Sequence, residues 1–148
     1  MKLLRTDSSN PDFKALCHQL DKELNKRYGT AQSKYDRHNV IEENRTVMVG
    51  YLHDIPVASG CFKEVGHNTI EIKRMFVTPA QRRRGFSGLI LSALEKWAKE
   101  LGFSIVRLET GRSQPEAIGL YEKAGYVVTE NYGPYIGIEN SICMKKEL

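Results

Sequence analysis

Several features that often direct the interpretation of a sequence are missing from this one. No apolar run approaches the roughly 20 residues that a transmembrane helix needs, and the first stretch, MKLLRTDSSNPDF, has no apolar core of a signal peptide. The four histidines are scattered, without the close pairs of a zinc site. The cysteines are odd in number and widely spaced, which argues against a disulfide framework: Cys17, Cys61 and Cys143. We therefore expect a soluble cytoplasmic protein with no membrane partner and no bound metal.

The charge of the chain is mixed rather than concentrated. Its 148 residues include 22 Lys and Arg against 18 Asp and Glu, a formal net charge of +4, which attracts an anionic ligand without requiring nucleic acid. Helix-turn-helix, RNA-recognition and zinc motifs are missing, and the aromatic residues do not alternate with basic ones. This pattern predicts one domain over residues 1–148 that binds no nucleic acid.

The N-terminal third is predicted to contain a strand and a helix. MKLLRT has the composition of a short strand, and Asn10 followed by Pro11 predicts a helix start, because asparagine caps the first turn and proline needs no N–H there. For the polar residues 30–44 the sequence does not distinguish between a second short helix and a loop. Apolar side chains recur at helical spacing before Gly29, where the helix should end: Phe13, Leu16, Cys17, Leu20 and Leu24.

Three strand-like runs follow, RTVMVGYLH, PVASGCFKEV and TIEIKRMFV, separated by turn-forming residues. They predict an antiparallel meander. A helix is then predicted from about Phe86 to Leu101, with Glu95 placed to pair with Lys99 one turn later and Gly102 at its end. Its apolar face is predicted to consist of Phe86, Leu89, Ile90, Ala93, Leu94, Trp97 and Leu101.

The C-terminal part continues the alternation of strands and helices. SIVRLET is predicted to be a strand, residues 114–124 a helix that Gly125 ends, and YVVTEN and NSICMKK two closing strands. Because a parallel strand pair needs a crossover, the strands before and after the long helix should be parallel. The predicted fold class is α/β, with a central mixed, mostly antiparallel sheet of about six to seven strands and helices on both faces.

The stretch QRRRGFSG stands where a strand gives way to the long helix. A helix N-terminus carries free N–H groups that attract phosphate, Gly85 permits close approach of a ligand to the backbone, and Arg82, Arg83 and Arg84 add positive charge. The chain has neither the GxxxxGKS/T motif of a P-loop nor the GxGxxG motif of a Rossmann site. Taken alone, the stretch is better explained as a solvated basic loop.

Two motifs that follow one another along the chain change that interpretation. RRRGFS, from Arg82 to Ser87, resembles the Q/R-x-x-G-x-G/A signature with which the GNAT acetyltransferases bind coenzyme A, with Ser87 in the last position and Gly88 directly after it. LYEKAGY, residues 120–126, resembles the second hallmark of the same family. The resemblance extends from about Thr46 to Leu148, and on it the sequence is identified as a member of the GNAT family, with the GNAT fold.

The resemblance implies transfer of an acetyl group from the cosubstrate acetyl-coenzyme A to a primary amine, by direct attack in a ternary complex. The strand before the loop should pair with the pantetheine arm, and the loop amides should hold the diphosphate. Which arginine meets the 3′-phosphate is open, and Gln114 is equally explained as a helix start. The implied binding residues are Met75, Phe76, Val77, Gln81, Arg82, Arg83, Arg84, Gly85, Phe86, Ser87, Gly88 and Gln114.

The resemblance also implies two catalytic side chains. Tyr121 lies in LYEKAGY, where the family often has a tyrosine that protonates the departing thiolate, although a core tyrosine explains it nearly as well. Glu71 lies where one branch has a glutamate that takes the proton of the amine. Pairing of Glu71 with Lys73 or Arg74, and proton transfer to ordered water, remain open alternatives. Strict alternation places Glu71, Lys73 and Met75 on one face of their strand, unless a bulge interrupts it. The other face then carries Ile70, Ile72, Arg74 and Phe76.

The acceptor amine is the least constrained part of the prediction. We prefer a small molecule, because the chain shows no extension that would recognise a peptide; a protein lysine acceptor and an acyl-coenzyme A sensor without catalysis remain alternatives. A homodimer is also open. Residues Glu64 and His67 are better explained by a solvated hairpin than by a place at the acceptor side. The candidates for the acceptor pocket are Tyr132, Tyr135, Glu139, Asn140, Glu64, Glu71 and His67.

Overall fold

The structure of the protein is a computed structural model that describes residues 1–28 and 41–148. The sequence left residues 30–44 open between a second short helix and a loop, and residues 30–40 of that stretch lie outside the described ranges. Within the described ranges the regular elements are β1 (Lys2–Thr6), α1 (Pro11–Tyr28), β2 (Val47–Leu52), β3 (Ile55–Gly66), β4 (Thr69–Val77), α2 (Phe86–Glu100), β5 (Ile105–Gly111), α3 (Pro115–Lys123), β6 (Val127–Thr129) and β7 (Ser141–Glu147).

The strands form one seven-stranded sheet in the order β1-β2-β3-β4-β5-β7-β6. β4 and β5 are parallel, whereas all the other neighbouring strands are antiparallel. α2 provides the crossover that the parallel pair requires. The predicted α/β fold class, with a mixed and mostly antiparallel sheet, is therefore confirmed, and so is the meander of β2, β3 and β4.

The start of α1 follows from its sequence. The Asn10 side chain accepts hydrogen bonds through Oδ1 from the backbone N–H groups of Asp12 at 2.9 Å and Phe13 at 3.0 Å. Two of the donors that a helix start leaves unpaired are satisfied in this way. Pro11 occupies the first helical position. The predicted cap is confirmed.

Helices cover both faces of the sheet, as predicted. α1 packs on one face, called the α1 face below, through a buried cluster that consists of Phe13, Leu16, Cys17, Val47, Val49, Cys61 and Phe76. α2 packs on the opposite face, called the α2 face below. Its core includes Met48, Phe62, Ile70, Ile72, Ile90, Leu91, Leu94, Ala98, Val106, Leu108, Tyr121 and Met144. Alternate residues of each central strand therefore enter different cores.

The predicted apolar face of α2 is partly wrong. Leu89 and Leu101 are 48% and 55% exposed, whereas Leu91 and Ala98 are buried. An apolar stripe on a helix is wider than the part that meets the sheet, and the orientation of the helix on the sheet decides which edge is covered.

The predicted ion pair of α2 is replaced by longer-range contacts. The Glu95 carboxylate accepts a hydrogen bond from the Tyr126 hydroxyl at 2.7 Å and pairs with Lys146 Nζ at 3.0 Å. Lys99 does not appear among the ion pairs of the described residues. Glu95 therefore fastens α2 to the last strand instead of stabilising its own helix.

Candidate functional site

The central parallel pair opens towards the ends of its strands. β4 and β5 are paired from Thr69 and Ile105 to Ile72 and Leu108, where their ladder ends. Beyond this point β4 continues to Val77, while β5 continues to Gly111 in register with β7 only. The two strands therefore diverge, and the opening between them exposes backbone groups of β4. α2 and α3 both begin beyond these strand ends, where ligands of parallel strands usually bind.

A bulge in β4 turns the strand at this opening. The register with β3 shifts between Ser59 and Cys61, and Arg74 has φ of +60°. Arg74 consequently lies on the α1 face, where it pairs with Asp21 of α1 at 2.6 Å. Met75 lies on the α2 face, since a Cβ on Gly60 would come within 2.6 Å of its Sδ. The predicted alternation is correct up to Lys73 and wrong from Arg74 onwards, including Met75 and Phe76, whose ring enters the core of the α1 face. The reason is that a bulge inserts one extra residue.

The loop between β4 and α2 has the shape of an anion cradle. After a short 3₁₀ helix at Pro79–Gln81, Gly85 adopts φ of +81° and directly precedes the first turn of α2, which no side chain caps. A Cβ on Gly85 or on Gly88 would meet nothing within 4 Å, so the space beside this backbone is open. Free N–H groups at a helix start, next to a glycine and arginines, suit a diphosphate. The residues present therefore fit the phosphate groups of coenzyme A.

The three arginines of the loop differ in their contacts. Arg82 donates to the Val77 carbonyl at 3.0 Å and pairs with Glu23 of α1 at 2.6 Å. Arg84 donates to Gln81 Oε1 at 2.6 Å and lies over the Phe86 ring. Arg83 is exposed, has φ of +64°, and makes no hydrogen bond or ion pair within the described part of the chain. Arg83 is thus the arginine with its guanidinium available.

Other predicted binding residues contribute chiefly backbone at this place. The side chains of Phe76, Val77 and Phe86 are buried in the cores, so that only their backbone groups reach the loop and the opening. Ser87 is half-buried in the first turn of α2. The Gln114 carbonyl accepts hydrogen bonds from the backbone of Ala117 and Ile118, which places Gln114 at the start of α3, on the β5 side of the opening.

Tyr121 serves the core and borders the opening. It is 6% exposed and packs edge-on against Tyr126, with ring centroids 5.8 Å apart. Its hydroxyl makes no hydrogen bond to any described residue. Burial, together with the charge of Glu109, raises the pKa of Tyr121 above its usual range. Glu109 of β5 is therefore close enough to Tyr121 for its charge to affect the phenol.

Glu71 is buried on the α1 face and is held by tyrosines. It is 3% exposed, and its Oε2 accepts a hydrogen bond from the Tyr132 hydroxyl at 2.8 Å. Burial and the Glu71 carboxylate raise the pKa of Tyr132 and of Tyr135, so both phenols stay protonated near neutral pH. The alternative pairing of Glu71 with Arg74 is wrong, because Arg74 binds Asp21.

Glu109 is the functional candidate that sequence reasoning missed. It follows directly after the paired part of β5 and lies on the α1 face, since its neighbour Leu108 is buried on the α2 face. Ser141 Oγ donates a hydrogen bond to Glu109 Oε2 at 2.8 Å. Burial raises the pKa of Glu109 to about 7, against the effect of this hydrogen bond. An acidic residue inside the strand pattern IVRLET was the available signal.

The remaining candidates for the acceptor pocket separate into two groups. Tyr132 and Tyr135 join Glu71, as described. Glu139 is exposed, and its carbonyl accepts a hydrogen bond from Arg112 Nε at 2.6 Å; Asn140 is exposed beside it. Glu64 and His67 are exposed at the β3–β4 hairpin, at the paired end of β4, and so the structure does not bring them to the opening.

Within residues 1–28 and 41–148, the cysteines are core residues. All three are buried and unpaired, and burial raises the pKa of Cys17 and of Cys61 to about 12, which keeps both thiols protonated. In the same ranges no three His, Cys, Asp or Glu side chains are arranged to hold a metal ion. None of the helices described above has the length and apolar character to span a membrane.

Comparison with known proteins identifies similar chains. The IAA acetyltransferase of Azospirillum brasilense is 38% identical over 78 residues, which are 53% of this chain and 51% of that protein. A solved structure assigned as an acyl-CoA N-acyltransferase of Klebsiella pneumoniae is 25% identical, with a TM-score of 0.82 over 99% of this chain and 97% of that one. The N-acetyltransferase PaiA of Thermoplasma acidophilum, solved with coenzyme A, is 15% identical with a TM-score of 0.73, covering 99% and 98% of the two chains, and has the same fold.

A family model supports the same conclusion over most of the sequence. Residues 13–126 match the model of the acetyltransferase (GNAT) family, and this range includes the bulged strand β4, the arginine–glycine loop and Tyr121. The resemblance found in RRRGFS and LYEKAGY is confirmed. With the opened parallel pair and the cradle at the start of α2, these findings show that the chain belongs to the GNAT family of acetyltransferases, whose cosubstrate is acetyl-coenzyme A.

Proposed function

We propose that this protein is an N-acetyltransferase that moves the acetyl group of acetyl-coenzyme A to a primary amine, by direct attack in a ternary complex. One observation carries the proposal. The opening between β4 and β5 has the cradle of α2 at its edge. The Tyr121 phenol lies on one side, and the buried Glu71 and half-buried Glu109 carboxylates lie on the other. A donor and an acceptor bound there would meet at the same place, as a direct transfer requires.

The binding of the donor rests on backbone groups of this chain. Beyond the end of the ladder β4 has no partner strand on the β5 side. Those backbone groups of Met75, Phe76 and Val77 that point to this side would pair with an extended amide arm as an added strand does. The amides from Gln81 to Gly88 would hold the diphosphate, and Gln114 would contact the arm from the β5 side. We assign the 3′-phosphate to Arg83, because Arg82 and Arg84 already have partners.

Proton transfer needs an acceptor and a donor at the opening. A primary amine with a pKa of about 10.4 is mostly an ammonium ion near neutral pH and must lose a proton before it attacks. Two carboxylates on the α1 face, Glu71 and Glu109, are the candidates for the acceptor of this proton. The bound acetyl-coenzyme A supplies the activated thioester. Tyr121, whose raised pKa keeps it protonated, can act at the departing sulfur only as a proton donor.

The acceptor is proposed to be a small molecule. Tyr132 packs on Tyr135 with ring centroids 5.5 Å apart, and Tyr135 is 2% exposed, so the aromatic pair lies against the sheet beside the two carboxylates. A compact ammonium group suits a site with carboxylates and aromatic rings. The long side chain of a protein lysine is the alternative, and an acceptor screen separates the two.

Calorimetric titration of acetyl-coenzyme A tests the donor site. We expect micromolar binding by the wild-type protein, no binding of a short DNA duplex, and an affinity weaker by on the order of tenfold or more in Gly85→Glu, where a carboxylate would oppose the diphosphate. Gly102→Glu is the matched control, because Gly102 also has positive φ, +93°, and open space but lies at the other end of α2.

Release of free thiol in the presence of amines then tests the transfer. Thiol release that depends on a small primary amine supports the proposal, and release with lysine peptides alone would shift the acceptor to proteins. Binding of acetyl-coenzyme A without thiol release for any amine would indicate a sensor. Equal affinities of Gly85→Glu and wild-type protein would contradict the assignment of the cradle.

A further inference from the structure

Two carboxylates lie near each other on the α1 face, but their surroundings differ. Glu71 belongs to β4 and Glu109 to β5, on opposite sides of the strand pair that opens. We propose that they have separate tasks: Glu71 positions the acceptor wall by holding Tyr132 and Tyr135, and Glu109 is the catalytic residue that takes the proton from the amine. This inference rests on the proposed acetyl transfer and assigns roles within the same site.

Glu71 connects a distant segment to the sheet. Tyr132 and Tyr135 belong to the segment between β6 and β7, which includes the short 3₁₀ helix Gly133–Tyr135. The Tyr132 hydroxyl donates to Glu71 at 2.8 Å, and the hydroxyl of Tyr135 also hydrogen-bonds to Glu71. The guanidinium carbon of Arg107 lies over the Tyr132 ring, 5.2 Å from the ring centroid. Both hydroxyls therefore meet the same carboxylate, and Glu71 helps to set the place of this wall.

These hydrogen bonds make Glu71 a poor choice for the proton acceptor. Both phenols keep their protons near neutral pH, since burial and the carboxylate raise their pKa values. A proton on Glu71 would weaken the hydrogen bonds that its carboxylate accepts from the phenols, because hydrogen bonds to a charged acceptor are the stronger ones. Glu71 is 3% exposed, so water does not readily make up for that loss.

Glu109 has the opposite surroundings. It is the first residue of β5 beyond the paired part, where the opening begins. Ser141 donates to Oε2, while Oε1 accepts no hydrogen bond from the described residues and remains available to an amine. With its pKa raised to about 7, the Glu109 carboxyl changes charge near neutral pH, as an efficient general base does.

The charged and titratable groups around Glu109 come from every neighbouring element. β4 contributes Glu71, whose charge favours the protonated form, and Lys73, whose charge favours the carboxylate. The groups whose own pKa values are raised by the charge of Glu109 are Tyr121 of α3, Tyr135 of the β6–β7 segment and Cys143 of β7. Glu109 is thus close enough to act on the proposed acid, Tyr121, from the other side of the opening.

The proton balance of the transfer follows from these positions. The ammonium group loses one proton to Glu109, which later releases it to solvent. The nitrogen then forms its bond to the acyl carbon, and the carbon–sulfur bond breaks. Tyr121 gives its proton to the sulfur and regains the second proton that the nitrogen loses. Ammonium ion and thioester become amide, thiol and one free proton, and neither side chain is changed.

Steady-state kinetics of the two isosteric variants test this division, with saturating acetyl-coenzyme A and the best amine from the screen. In Glu109→Gln we expect kcat to fall by roughly 10²-fold or more at pH 7.5, with little change in the KM of the amine. In Glu71→Gln we expect the KM of the amine to rise by on the order of tenfold, with kcat much less affected. Tyr132→Phe should raise the KM of the amine as well, because it deletes the hydrogen bond that Glu71→Gln weakens.

The pH profile is the measurement that a merely structural role would not change. Wild-type kcat/KM should rise up to about pH 7 and then level, because Glu109 must be ionised and the amine is still an ammonium ion. In Glu109→Gln only the neutral amine reacts, so kcat/KM should rise tenfold per pH unit to about pH 10. Ser141→Ala should move the wild-type limb to higher pH, because the Ser141 hydrogen bond lowers the pKa of Glu109.

The variants must still bind acetyl-coenzyme A by calorimetry, which shows that they fold. The proposal is overturned, and the roles are reversed, if the rise of kcat/KM up to about pH 7 is lost in Glu71→Gln but remains in Glu109→Gln. An active wild-type protein whose limb survives in both variants also overturns it, since ordered water would then take the proton; the proposed function would still stand. A wild-type protein that binds acetyl-coenzyme A but releases no thiol with any amine overturns both.

Discussion

The donor cradle and the acceptor face are built in different ways. The cradle consists of residues close together in the chain, from Met75 to Gly88, and it offers mainly backbone groups at an open helix start. The acceptor face brings together side chains from Glu71 to Ser141, on three strands and a loop. A local segment with a glycine in αL conformation can be recognised as a motif, whereas a constellation of separate side chains leaves no continuous pattern.

The two regions also differ in energetic terms. The arginines of the cradle are exposed and lose little hydration, so that their ion pairs contribute little stability. Glu71 is buried and Glu109 is half-buried, and an ionised carboxylate with little access to water costs free energy unless hydrogen bonds or charges compensate it. Substitutions should therefore change affinity at the cradle, and catalysis, stability and pH dependence at the acceptor face.

The largest effect is expected at the phenol between the two regions. In Tyr121→Phe the ring still packs on Tyr126, but no proton donor remains for the departing sulfur, and kcat should fall roughly 10²-fold with unchanged binding of acetyl-coenzyme A. Tyr126→Phe is the matched control: it removes a buried hydrogen bond to Glu95 and should cost about 1 kcal/mol of stability without loss of activity. Full activity of Tyr121→Phe would show that Tyr121 is not the proton donor and only packs in the core.

The stability of the acceptor face should depend on pH through Glu109. Its pKa is about 7 in the folded protein against 4.5 as the ordinary value, so the folded state loses stability as pH rises from about 4.5 to 7. The free energy of unfolding of Glu109→Gln should therefore exceed that of the wild-type protein by up to about 3 kcal/mol at pH 8, and should equal it at pH 4. Urea unfolding at both pH values measures the difference.

Glu116→Gln is the control for that experiment. Glu116 is exposed and pairs with Arg27 at 2.6 Å, which helps to hold its pKa below the ordinary value. A lowered pKa stabilises the folded state above the ordinary value, so this variant should gain nothing at pH 8. An equal gain in both variants would show that net charge, and not the burial of Glu109, governs the pH dependence.

The cradle should show a smaller effect that depends on one phosphate. Arg83→Ala is expected to weaken binding of acetyl-coenzyme A by about tenfold and to leave binding of 3′-dephospho-coenzyme A unchanged, because one charge-assisted contact is lost. Arg82→Ala removes a contact that holds the loop to Val77 and should weaken both ligands alike. Calorimetry with the two ligands distinguishes these cases; a uniform effect of Arg83→Ala would assign the 3′-phosphate elsewhere.

The smallest effect is expected where α1 touches the cradle. Glu23 pairs with Arg82 at 2.6 Å, with both side chains partly exposed, and so places a negative charge beside the loop that is proposed to hold the diphosphate. Glu23→Gln should bind acetyl-coenzyme A about 2-fold to 3-fold more tightly at low salt, and the gain should vanish at high salt. Weaker binding at low salt would mean that the ion pair helps to shape the loop.

Much of the fold was predictable because local rules determine it. The cap at Asn10, the helix end at Gly102, the meander and the parallel pair around α2 agree with the structure. The exposed Leu89 and the partner of Glu95 were not predictable, since both depend on how α2 lies on the sheet. The bulge at Arg74 belongs to the same class, because its φ of +60° is unusual for an arginine and nothing in IEIKRMFV marks the position.

The site shows the same division between local and tertiary information. By itself the sequence determined the family and predicted the cradle and Tyr121 as parts of the site, because a glycine, a helix start and two short motifs are properties of neighbouring residues. Only the tertiary structure decided that Glu71 is held by Tyr132, that Glu109 lies at the opening beside Ser141, and that Arg83 alone among the three loop arginines has no partner in the described chain. Burial and long-range hydrogen bonds set the basicity of a carboxylate, and both arise only when distant strands come together.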